Sequence, residues 1–144
     1  RDRSPSRGLG DVYKRQLQWM VPSFVGSIYF RMMGMKIGKG AQINSPRIND
    51  AYMVEVGEKT VIGGDAVLNG HLFEKSGIHL AKVKIGARCV VGTHAQINPG
   101  CVIGDGAVIA SKAVLPKHTT VPAGEVWGGI PAKCIRKADG SKPE

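Results

Sequence analysis

The chain is poor in acidic residues, in aromatics and in cysteine, and each shortage closes off a class of protein. Eleven Asp and Glu stand against 20 Lys and Arg, a formal charge of +9 at pH 7. Residues 1–16 hold five of the bases and two of the acids, so the rest carries +6. Aromatic residues make up 6%, too few to supply the stacking platform that a basic nucleic-acid-binding surface interleaves with its charge. Cys89, Cys101 and Cys134 have the spacing of neither a metal site nor a disulfide framework. No uninterrupted apolar run reaches the ~20 residues that cross a bilayer. A glycine-rich phosphate loop and a Ser-His-Asp order are also missing. What remains is one domain of 144 residues, long enough for a core if one regular architecture makes up its body.

That architecture is written between Ile85 and Val126 as a period of six. Ile85, Val91, Ile97, Ile103, Ile109, Leu115 and Val121 are all aliphatic, in a chain with 33 Ile, Leu and Val in total. Four residues after each stand Cys89, Ala95, Cys101, Ala107, Ala113 and Thr119, all small, until Glu125 breaks the rule. Six fits neither a helix at 3.6 nor a long alternating strand at 2. It fits a chain that lays down a short strand, turns a corner and repeats, each coil covering the aliphatic face of the last. The small residue suits a corner where a longer side chain would collide with the interior. Gly86, Gly92, Gly104 and Asn98, just after the aliphatic position, are expected to take the unusual φ of those corners. The fold class expected is all-β, a parallel β-helix.

Units such as 85–90 (Ile-Gly-Ala-Arg-Cys-Val) and 103–108 (Ile-Gly-Asp-Gly-Ala-Val) resemble the hexapeptide repeat of left-handed parallel β-helix acyltransferases. Residues 129–136, Gly-Ile-Pro-Ala-Lys-Cys-Ile-Arg, are similar to the closing segment of the maltose, galactoside and xenobiotic acetyltransferases. With 70–74 (Gly-His-Leu-Phe-Glu) and 126–132, the pattern also resembles the C-terminal module of peptide-synthetase-like proteins. The left hand of the helix is implied by the resemblance, since parallel crossovers are otherwise right-handed.

The domain plan expected has four parts. Residues 1–16 lack any apolar period and read as a non-native or disordered leader, left out of the fold argument. Residues 17–36 form a short apolar helical lead-in. It caps the open end of the solenoid or, alternatively, brings residues 17–35 to a membrane surface with Arg31 and Lys36 at the interface. Residues 37–137 form the β-helix, and 138–144 a disordered tail. The beat starts at Ile37 and Ile43, breaks at 45–50, and returns one residue out of phase at Val56, Ile62 and Leu68. It then fails until Ile85, an interval of about one coil replaced by an irregular loop at 70–84. Loops thrown off a regular scaffold tend to carry function.

Acyl transfer from a thioester needs a base for the acceptor's proton, and imidazole titrates near neutrality. The resemblance points to His71 as catalytic base, with Glu74 to orient it and backbone N–H groups to hold the oxyanion. His79, in the same loop, is the reserve. His94 and His118 fall at the fourth place of their units and read as structural corner residues. The resemblance implies acetyl-CoA or another acyl-CoA as cosubstrate, with Thr93 and Ser111 beside its pantetheine arm. It places Lys117, Lys133 and Arg136 near its nucleotide end, where phosphates favour Lys and Arg. It implies a homotrimer with sites between subunits, a small hydroxyl or amine acceptor, and a cytoplasmic location, extended to the inner membrane face if 17–35 binds lipid. Pro116 and Val90 depart from the pattern, in place of a threonine and an indole. A noncatalytic trimerising or docking module of a larger synthetase-like or membrane-associated protein therefore stays open as the alternative. Hexapeptide solenoids also include γ-class carbonic anhydrases, whose zinc takes three histidines, two close in sequence. The histidines here lack that close pair and Cys89 points inward, so no metal is expected.

Overall fold

A computed structural model describes residues 24–143. The leader 1–16, residues 17–23 of the lead-in, and residue 144 lie outside the described residues. Helix α1 (Phe24–Met32) comes first. The chain then winds in coils, each giving one short strand to each of three sheets. The first coil supplies β1 (Lys36–Ile37), β2 (Gln42–Ile43) and β3 (Ile48–Asn49). The second supplies β4 (Val54–Val56), β5 (Val61–Ile62) and β6 (Val67–Asn69). A hairpin of β7 (His71–Glu74) and β8 (Gly77–Leu80) then leaves the stack. The third coil is β9 (Val83–Ile85), β10 (Val90–Val91) and β11 (Gln96–Ile97). The fourth is β12 (Val102–Ile103), β13 (Val108–Ile109) and β14 (Val114–Leu115). Strands β15 (Thr120–Val121) and β16 (Val126–Gly129) begin a fifth, and β17 (Ala132–Arg136) turns back antiparallel on β16.

The sheets run β1-β4-β9-β12-β15, β2-β5-β10-β13-β16-β17 and β3-β6-β11-β14. They are called sheets A, B and C below. Pairing within the stack is parallel and in register, as in Val90 beside Val61 and Val108. The fold is a left-handed parallel β-helix. The period-six residues fill its interior: Ile97, Ile103, Ile109 and Leu115 are at most 2% exposed, and Cys89, Ala95, Cys101, Ala107 and Ala113 are fully buried. Each large aliphatic side chain withdrawn from water stabilises the stack by about 1.5–3 kcal/mol. No six-residue unit achieves that burial alone.

Two expectations need correction. The glycines after the aliphatic residue are not there for φ. The left-handed conformation falls two places later, at Arg88, His94, Lys112 and His118, with φ between 53° and 60°. Their amides reach the corner of the preceding coil, for example His94 to the Gly64 carbonyl at 3.0 Å and His118 to that of Pro99 at 2.9 Å. Those bonds offset strain of about 1 kcal/mol or more per residue. Gly92 and Gly104 are required by close stacking instead. A Cβ on Gly92 would lie 2.4 Å from the Ser111 nitrogen, and one on Gly104 2.5 Å from that of Ala123.

The second correction concerns residues 70–84. No coil is lost and the segment is not irregular. Strand β9 takes the next place in sheet A, pairing Val54 with Val83 and Val56 with Ile85. The hairpin is an ordered insertion at the corner where the chain passes from sheet C to sheet A, with His71 opposite Leu80 and Phe73 opposite Ile78. The earlier phase slip has a similar cause, a one-turn 3-10 helix (Ala51–Met53) at the same corner one coil before.

At the open end, α1 buries Phe30 and the following turn buries Met35, 2% and 3% exposed, against β1 and β2. Its Phe24, Ile28 and Met32 remain exposed. At the other end Ala132 of β17 is buried and Trp127 packs on the core. The polar tail, expected to be without structure, carries a turn in which the Lys137 and Gly140 amides reach the Ser141 and Lys137 carbonyls at 2.9 Å.

Candidate functional site

Strands β3 and β6 are neighbours in sheet C, and both end in asparagine, with Asn49 Nδ2 donating to Asn69 Oδ1 at 2.7 Å. One step beyond, the same two coils bring Asp50 and His71 together. Asp50 sits in the left-handed conformation (φ 59°, ψ 59°) at the start of the 3-10 turn. Gly70 lets it approach: a Cβ there would lie 2.7 Å from that of Met53 and 3.0 Å from that of Asp50. The Nδ1 of His71 is hydrogen-bonded to Asp50 Oδ2, with both side chains half-buried. A carboxylate accepting from Nδ1–H fixes the tautomer, leaving Nε2 as the basic nitrogen. Glu74, expected to orient His71, instead accepts from Lys117 Nζ. That bond holds the Glu74 carboxyl below its usual range.

The hairpin lies along the corner formed by the later coils. His79, the reserve base, has its Nε2 2.7 Å from that of His118. The ring of His118 rests on Gly100, where an added Cβ would fall 2.3 Å from His118 Nδ1. His118, expected to be only structural, is therefore one of the groups that hold the hairpin down, and it also holds a corner conformation. His94 occupies the matching place on the sheet B–C corner.

The residues expected to meet the donor do not gather around His71 within one chain. Thr93 and Ser111 are exposed at the sheet B–C corner, stacked one coil apart through the bond from the Lys112 amide to the Thr93 carbonyl. Lys133 and Arg136 are exposed on β17, at the end of sheet B. Of the five, Lys117 alone shares the hairpin's corner. The remaining nucleophilic side chains are quiet: burial pushes the Cys89 and Cys101 thiols up, and the latter donates to the Pro116 carbonyl at 3.0 Å. Among the described residues no three His, Cys, Asp or Glu side chains converge in a metal-ligating group. No helix among them is long and apolar enough to cross a membrane.

What sequence reasoning missed was Asp50. Its signal was present, in an Asn-Asp pair that ends the preceding coil as Asn-Gly-His ends the next.

The chain matches the family described as bacterial transferase hexapeptide (six repeats) over residues 82–117. It is 35% identical over 105 residues to delta-poly-L-ornithine synthetase of Acinetobacter baumannii, covering 72% of this chain and 8% of that protein. It is 32% identical over 111 residues to the putative acetyltransferase YvoF of Bacillus subtilis, covering 75% of this chain and 63% of the relative. The fold is shared with a hexapeptide-repeat acetyltransferase of Vibrio cholerae solved with acetyl coenzyme A. The TM-score there is 0.71 at 16% identity, covering 94% of this chain and 91% of the other. In sequence the chain is similar to hexapeptide-repeat transferases over part of its length, and in fold to hexapeptide-repeat acetyltransferases. It spans less than two thirds of the length of either curated relative.

Proposed function

We propose that the chain transfers an acyl group, acetyl in the simplest case, from coenzyme A to a small hydroxyl or amine, with His71 as general base. The observation that carries this is the His71–Asp50 pair at the root of the hairpin. Nε2 of His71 takes the proton of the acceptor O–H or N–H as its lone pair attacks the thioester carbon. The C–S bond then breaks, and the coenzyme A thiolate recovers that proton from the imidazolium. Asp50 holds the tautomer and faces the charge that develops on the ring.

Thr93 and Ser111 would border the pantetheine arm, and Lys133, Arg136 and Lys117 the phosphates. The separation of Thr93, Ser111, Lys133 and Arg136 from His71 supports a homotrimer in which one subunit's hairpin faces a neighbour's coils. A cytoplasmic location follows from the need for acyl-CoA. The exposed Phe24, Ile28 and Met32 ridge of α1 is the feature that would bring the chain to a membrane surface.

His71→Ala should lower kcat/KM by about 100-fold or more with the mass in solution unchanged; unaltered turnover removes His71 from the role. Asp50→Asn keeps a side chain that tolerates the left-handed conformation. It should lower kcat by about 10-fold or more, shift the pH profile of kcat, and leave the KM for acetyl-CoA in place. A second reading is a noncatalytic β-helix module of a longer synthetase, favoured by the likeness to a protein of which this chain spans 8%. A stable trimer to which acetyl-CoA does not bind in a calorimetric titration would establish that reading.

A further inference from the structure

The hairpin has two faces of opposite character. Directly paired residues of an antiparallel ladder project to the same side, and so do residues two apart along a strand. Leu72, Glu74 and His79 therefore share the inner face, where Glu74 meets Lys117 and His79 meets His118. His71, Phe73, Ile78 and Leu80 share the outer one. The ring of His71 meets that of Phe73 edge-on, with centroids 5.6 Å apart. Phe73, Ile78 and Leu80 are 72%, 59% and 57% exposed. Three large apolar side chains thus stand in water around the imidazole, and none of them carries a hydrogen-bonding group.

We propose that this face is the acceptor wall of the acyl-transfer site. It would select a hydroxyl or amine borne on an alkyl or aryl body rather than a polyhydroxylated sugar. The inference rests on the acyl-transfer reading. A sugar has several hydroxyls besides the one that reacts, and each loses water on approaching the wall without gaining a partner. Among the four side chains of this face only His71 can accept a hydrogen bond, and the reacting group takes it. An alkyl or aryl body loses nothing there and gains contact with exposed apolar surface of the kind that marks binding sites. The ion pair on the inner face keeps the charge of Glu74 and Lys117 away from the wall.

The test measures kcat/KM of the intact chain with acetyl-CoA for three acceptor sets: primary amines and alcohols of increasing alkyl length, an aryl-alkyl alcohol, and galactosides. For the wild type, kcat/KM should rise about four-fold per methylene over the first few carbons, the transfer free energy of one CH2. The aryl alcohol should exceed the galactosides by about 100-fold. Phe73→Ser and Ile78→Ser should flatten the alkyl series and reduce aryl turnover by about 10-fold. The KM for acetyl-CoA and the mass by light scattering should not move. A preference for galactosides, or a flat wild-type series, overturns the proposal while the acyl-transfer reading stands. A change of mass in either variant also overturns it, because the face is then covered by a second copy of the chain. Absence of both turnover and acetyl-CoA binding removes the acyl-transfer reading, and the proposal goes with it.

Discussion

The coils between Ile85 and Val126 and the hairpin of β7 and β8 differ in what holds them, and the difference separates fold from function. From β9 to β13 each strand is fixed from above and below by in-register neighbours. Ile97, for example, is fully buried and its strand pairs with both β6 and β14. The hairpin has one partner for each strand, and its other anchors are side chains: His71 to Asp50, Glu74 to Lys117 and His79 to His118. A stack that determines every position several times over has little room for chemistry. A segment held at a few polar points can expose an imidazole and three apolar side chains, because nothing in the core depends on them.

The most forceful way to break the comparison is a cavity in the coils. Leu115 is fully buried, and Leu115→Ala should cost about 2–5 kcal/mol, read as a fall in the midpoint of denaturant unfolding. Phe73→Ala on the exposed hairpin face should shift that midpoint by no more than about 0.5 kcal/mol. Equal losses would mean that the hairpin is part of the cooperative core.

Next in size is a contrast between two glycines of the stack. Gly92→Ala places a Cβ against backbone of the next coil, which cannot rotate away, so about 1–3 kcal/mol is expected. Gly106→Ala meets open space, but its φ is 70°, and the expected cost is about 1–2 kcal/mol from backbone strain alone. The order of the two in a thermal-unfolding experiment tests whether close stacking outweighs conformation. An equal loss at both would return the glycines to the role expected from sequence.

That expectation shows where sequence reading reached and where it stopped. The period of six exposed the core because a solenoid buries each aliphatic residue against the next copy of its own pattern, so Ile85 through Val121 could be placed without long-range information. The glycines were found for the wrong reason: a local reading sees conformational freedom and not the backbone one coil away. The same limit hid Asp50. It lies 21 residues before His71, one coil plus a 3-10 turn that the beat does not announce. Glu74, three residues from His71, was the nearer carboxylate, but β-strand alternation sends it to the opposite face. The hairpin itself was legible as an interruption, though not as two paired strands, because Gly77 and the flanking residues carry too short an alternation to specify pairing.

The smallest expected effect concerns the tie between the two regions. The hydrogen bond from Lys117 holds the Glu74 carboxyl below its usual range. A group whose folded pKa is depressed contributes stability above its unfolded pKa and loses it as pH falls through the folded value. The tie should therefore be intact from neutrality down to the ordinary carboxylate range near pH ~4, and fade below it. Hydrogen exchange at the Ala81 amide, which donates to the Gly70 carbonyl across the base of the hairpin at 3.1 Å, reads this directly. After correction for intrinsic rates, protection there should fall by about two- to five-fold on acidification, while the amide of Val90, within the stack, holds its protection. Glu74→Gln should lower protection at neutral pH and reduce the fall across the carboxylate range. If Ala81 and Val90 lose protection together, the hairpin opens only with the coils. The division between a rigid stack and a separately held hairpin then gives way to a single unit.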